Sequence, residues 1–88
     1  MANADHPTHP TLKSDDITHY RHVITRGRQQ LVVEVVSLVD GGEATPPILS
    51  TFGDIDLSPD QAVELADALG KARTAWDTAH RSWVEGLR

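Results

Sequence analysis

Eighty-eight residues allow one small domain, and 21 of them are Leu, Ile, Val or Phe, enough for a core but a marginal one. The lack of any cysteine excludes a disulfide framework, a thiolate metal site and a cysteine nucleophile, and the longest apolar run, Leu31–Val33, is far too short to span a membrane. The net charge of −5 comes in blocks: residues 17–33 hold Arg21, Arg26 and Arg28 with no acid, residues 34–70 hold eight acids with no base, and Lys71, Arg73, Arg81 and Arg88 follow.

The first sixteen residues, MANADHPTHPTLKSDD, read as a flexible tail ahead of a single domain over 17–88. Pro7 and Pro10 exclude regular helix, and Leu12 is the segment's one large aliphatic residue. Nothing in Met1–Pro10 resembles the apolar stretch of a signal peptide, so the expected location is cytoplasmic.

Ile17–Thr25 is the first predicted strand. Strict alternation puts Ile17, His19, Arg21, Val23 and Thr25 on one face and Thr18, Tyr20, His22, Ile24 and Arg26 on the other. Neither face is cleanly apolar, which suits an edge strand. Arg26-Gly27-Arg28 supplies a turn into Leu31–Val39, a β-branched run whose two faces are both largely apolar, as in a central strand. Asp40-Gly41-Gly42 and Thr45-Pro46-Pro47 then make a loop of about seven residues. Extended structure resumes over Ile48–Leu57, where Gly53 predicts a bulge or a bend.

Ser58-Pro59-Asp60-Gln61 carries several independent helix-start signals: Ser58 as N-cap, Pro59 at the first helical position, an acid at the positive helix end, and Gln61 completing a capping box. No proline follows, so a helix runs to about Val84, roughly 39 Å long, with Gly70 as its weak point. The expected fold is therefore α+β, in the order β-β-β-α: a three-stranded antiparallel sheet with one long C-terminal helix.

Leu65, Leu69, Ala72, Trp76, Ala79 and Trp83 follow alternating spacings of four and three, an a/d seam over nearly three heptads. A sheet of nine-residue strands is only about 30 Å long, so the helix is expected to project past it. The predicted homodimer contact is accordingly Leu69, Ala72, Trp76, Ala79 and Trp83. The helix is acidic in its first half and basic in its second, which complements its own dipole and would also suit an antiparallel partner helix.

Other sites are weighed against simpler explanations. His19 and His22 lie three apart in a strand and point to opposite faces, while His6 and His9 sit in the tail, so no metal or other cofactor is expected. Asp54-x-Asp56-x-Ser58-x-Asp60 opens like a calcium loop but has Pro59 and Leu65 where glycine and glutamate are required. No nucleophile elbow, phosphate loop or His-Glu-x-x-His is present, and the chain reads as a non-enzyme. The rival to a protein-interaction role is nucleic-acid or ribosome association, with Tyr20 stacking on a base and Arg21, Arg26 and Arg28 contacting phosphates. The alternative for that basic hairpin is pairing with the acidic block, within the fold or across a dimer.

The strand order and the entry LSPDQAVELADAL, residues 57–69, resemble small actinobacterial or actinophage domains of unknown function. In these, strands lead into a Ser/Thr-Pro acidic cap and an Ala/Leu-rich helix. The resemblance implies a sheet with a packed helix and no particular activity, and it transfers no functional residue.

Overall fold

The computed structural model describes residues 16–87, ordered as five strands and one helix: β1 (Ile17–Arg26), β2 (Gln29–Ser37), β3 (Val39–Asp40), β4 (Glu43–Ala44), β5 (Ile48–Asp54) and α1 (Pro59–Gly86). The main sheet is antiparallel in the order β1-β2-β5, so the β-branched β2 is central and β1 and β5 are the edges. This is the α+β architecture, three strands and one long C-terminal helix, that the sequence predicts. Most of the expected tail lies outside the described residues. Asp16 belongs with the fold, because its Oδ1 accepts the backbone N–H of Val39 at 2.8 Å.

Gly27 takes φ +60° in the two-residue β1–β2 turn, the glycine-first pattern that matches strand twist. β1 holds a bulge between Thr18 and Tyr20. The extra residue breaks the strict alternation expected for this strand. Tyr20, His22 and Ile24 oppose Val35, Val33 and Leu31 on the helix side, and Ile17 opposite Ser37 returns to that side instead of sharing a face with Arg21. The predicted bulge at Gly53 is absent: β5 pairs with β2 without a register shift. Glycine is needed there for a different reason. Its φ is +120°, and a Cβ would meet the Gln30 carbonyl oxygen. The predicted seven-residue loop contains the β3–β4 hairpin, turned by Gly41 and Gly42 at φ +61° and +83° and closed where Leu38 and Thr45 exchange hydrogen bonds at 2.8 and 3.0 Å.

α1 begins with the capping box that its sequence announces. Ser58 Oγ accepts from the Gln61 N–H and Gln61 Oε1 accepts from the Ser58 N–H, both at 3.2 Å. The helix is continuous through Gly70, whose missing side chain leaves open space rather than a break. Its 28 residues span about 42 Å and lie on the odd-numbered face of β2. The core there is Val33 and Val35 against Ala68 and Ala72, all at most 1% exposed, with Tyr20, Leu65, Ala75 and Trp76 packed around them. Alanines at the contact let the helix sit close to the valines, each of which contributes about 1.5–3 kcal/mol on burial. On the opposite sheet face Val32, Val36 and Glu34 are also buried.

Candidate functional site

The helix does not project past its own fold. Trp76 packs on the core cluster and donates its indole N–H to the Pro47 carbonyl at 2.8 Å, and Trp83 donates to the Ala44 carbonyl at 3.1 Å. The loop before β5 and the β3–β4 hairpin supply the cover that the length argument assigned to a partner. Ala72 is fully buried in the core and half-buried Ala79 lines an intrachain cleft, so of the five predicted interface residues only Leu69, 38% exposed, presents a large free apolar surface. Between Leu65 and Ala72 it is Ala68 that is buried, and Leu69 lies at the flank of the packed face.

Two flanks follow from this placement. On one, Gln61 Nε2 donates to the Thr25 carbonyl at 3.0 Å and His22 Nε2 meets Glu64 Oε2 at 2.6 Å, fastening the helix to β1. On the other, Trp76 leans over the start of β5. Leu69 lies on the same side of the helix, and Leu49 of β5, on the helix-bearing sheet face, is 37% exposed. Ile48, on the other face of β5, is 43% exposed.

The proposed nucleic-acid contacts are mostly engaged within the chain. Half-buried Tyr20 packs against the core beneath the helix, so its ring is not presented for base stacking. Arg21 Nε lies 3.6 Å from the carboxylate of buried Glu34, and Arg26 Nη1 donates to the Asp56 carbonyl at 2.7 Å. Arg28 lines a cleft of about 440 Å³ on the helix-free face together with Arg21, Gln30 and Asp54. The basic hairpin thus meets the acidic block inside the fold, and Asp54 places a negative charge in the cleft where a phosphate would bind.

The alternation pattern hid one pair. The β1 bulge brings His19 to the helix side, where its Nε2 lies 2.8 Å from Ser37 Oγ at the edge of a cleft of about 520 Å³ walled by Ile17, Ala79 and Trp83. The spacing suits a nucleophile and its base, but the other ring nitrogen of His19 has no partner among the described residues. With Ser37 4% exposed, the pair reads as a polar clasp between the ends of β1 and β2. His80 stacks on Trp76 at 4.6 Å and 8° between ring planes, a contact that the i, i+4 spacing makes available. The exposed Asp67–Lys71 pair holds the Lys71 amine above its usual value of 10.5, through the hydrogen bond and charge of Asp67.

Among the described residues no three metal-ligating side chains converge, and no helix is long and apolar enough to cross a membrane. His6 and His9 lie outside the described residues. No family model, curated protein or solved structure matches the chain.

Proposed function

We propose that the protein is a non-enzymatic interaction module that associates with a second copy of itself. The observation that carries this reading is the apolar surface of Leu49 and Leu69 on the helix-bearing side of β5, 37% and 38% exposed although the chain has few large aliphatic residues to spare, with Ile48 43% exposed on the opposite face. The nucleic-acid alternative has less support, because Tyr20 serves the core and Arg21 and Arg26 are tied to Glu34 and Asp56. Light scattering after size exclusion at tens of micromolar tests the main reading. A mass of two chains is the expected result, and a mass of one chain rejects it. Duplex, single-stranded and structured RNA probes at low salt test the alternative. Binding that weakens steeply with salt, and less steeply once Arg21, Arg26 and Arg28 are replaced by Ala, would favour it.

A further inference from the structure

The sheet face turned away from α1 is more buried along its centre than its flanking residues account for. Val32, Glu34 and Val36 of β2 are only 4–5% exposed there. The residues paired beside them are more open. Val36 lies between exposed Thr18 and Ile48, the latter 43% exposed; Glu34 lies between exposed Arg21 and half-buried Ser50. Val32 lies between half-buried Val23 and Phe52. A side chain that is itself open to water gives little cover to the one beside it, and the centre of a bare antiparallel face stays partly wetted.

None of the described elements lies over this row. α1 packs on the odd-numbered face of β2, and the β3–β4 hairpin is tied to α1 through Trp83. The segment after β5 runs past Asp56, held by Arg26 and Gln29 at the end of the sheet, to the helix cap. A buried central row between wetter flanks is the footprint of one extended chain, about as wide as a single strand.

We infer that residues 1–15 of the same chain cover this face, running along β2 from Val36 toward Val32. The inference goes beyond the self-association proposed above and does not depend on it. Continuity selects the occupant. The chain enters β1 at Ile17, opposite Ser37 and next to the pair Thr18–Val36, with Asp16 held against Val39. Fifteen extended residues reach about 50 Å, whereas Val36 and Val32 stand about 14 Å apart along β2, so length is ample. The one other residue outside the described range is Arg88, a single residue beyond the end of α1.

Composition agrees with this placement. Leu12 is an apolar side chain for the valine row, and Pro7 and Pro10 have no N–H to satisfy where a chain lies on side chains rather than beside a strand. Glu34 is a buried carboxylate whose ion pair with Arg21 is long, 3.6 Å, and Lys13 is the one base in the segment. Charge alone does not choose the segment, which also carries Asp5 and Asp15, and the cleft at the far end of the face holds Arg21, Arg28 and Asp54.

The test reads the contact in the full chain by NMR. With the valine methyls labelled, NOEs from Val32 and Val36 to protons of residues 1–15 are expected, and NOEs to residues 16–88 alone overturn the inference. In a mixture of labelled and unlabelled chains, NOEs that cross between chains give the face to a second copy and overturn it as well. Burial is then read by adding one thiol to a chain that has none. Val36→Cys should react with DTNB slowly in the full chain and at least about tenfold faster once residues 1–14 are removed, while Val33→Cys, in the core against the helix, stays slow in both. Acceleration at neither site overturns the cover. Acceleration at both shows a segment on which the whole fold depends, not a cover over one face, and overturns it too.

Discussion

Toward β1 the helix is held by side chains reaching sideways, Gln61 to the Thr25 carbonyl and Glu64 to His22, with the Tyr20 ring beneath. Toward β5 it is held by Trp76, whose indole bonds to the Pro47 carbonyl just before the strand, while Trp83 bonds to the Ala44 carbonyl of the β3–β4 hairpin. The first arrangement fastens the N-terminal half of the helix, while farther along it Ile17, 45% exposed, stands beside a cleft between β1 and the helix. The second spans the gap at one end and leaves Leu49 and Leu69 partly bare along the rest. In so small a domain one helix cannot cover three strands evenly, and leaning onto one edge leaves the other edge for something else. The β1 edge is also the one bearing arginines, histidines and a bulge, whereas β5 carries a single charge, Asp54, at its end.

Replacing Trp76 should have the largest effect, because its ring serves both the core and the β5 flank. Trp76→Ala removes an aromatic packed on Val33, Val35, Ala68 and Ala72 and leaves the Pro47 carbonyl without its indole donor. A loss of about 3 kcal/mol in urea unfolding is expected. Trp83, whose hydrogen bond to Ala44 is exposed, should cost clearly less when cut to Ala, about 1 kcal/mol. Equal losses would mean that the hairpin end is as much a part of the core as Trp76.

Gln61→Ala probes the β1 flank. Gln61 supplies half of the capping box and the tie to Thr25, so its loss should cost about 1–1.5 kcal/mol in the same measurement. Ser58→Ala, which removes only the other half of the box, should cost about 1 kcal/mol. If the two agree within error, the tie to Thr25 adds nothing, and the β1 flank is fastened chiefly by packing around Tyr20.

What could be read from residue order was whatever depends on neighbours along the chain. The capping box, the Gly27 turn, the central β2 and the edge character of β1 all follow from local chemistry. The β1 bulge was not legible, because one extra residue leaves composition unchanged while moving Ile17 to the helix side. The tryptophan anchors were not legible either, since their acceptors are backbone carbonyls that any residue offers. Reading the helix as a heptad seam put Ala72 in a partner contact, where it is in fact buried in the core, and missed Ala68. His22–Glu64 and Arg21–Glu34 are pairings across the fold, which block charges suggested in kind but could not assign by residue.

Leu69→Ala sharpens the comparison by separating folding from association. Leu69 is 38% exposed and lies outside the core cluster, so its truncation should change monomer stability by no more than about 0.5 kcal/mol. The same variant should weaken the dimer measurably by sedimentation, because it removes apolar contact next to β5. A large stability loss without an effect on association would place Leu69 in the core after all and close the β5 flank.

The smallest effect is expected at Lys71, on the β1 side of the helix. Asp67 lies one turn N-terminal to it, the favourable order for an i, i+4 pair, with Oδ2 and Nζ 3.1 Å apart and both side chains about two-thirds exposed. The hydrogen bond to Asp67, then its charge, raises the Lys71 pKa above 10.5, with a further small push from Tyr20 across the flank. A raised lysine pKa means that the folded state binds the proton more tightly than the unfolded one. The pair's contribution is therefore complete below about pH 10.5 and fades as pH climbs through the folded-state value. Solvent screens so exposed a pair, so Lys71→Met and wild type should melt within about a degree of each other at pH 7. Melting curves taken from pH 7 to pH 11 should show any small wild-type advantage at the neutral end and a smaller one at the alkaline end. A gap of several degrees at pH 7 would show that Lys71 does more than pair with Asp67 and counts among the fastenings of the β1 flank, beside Gln61 and Glu64.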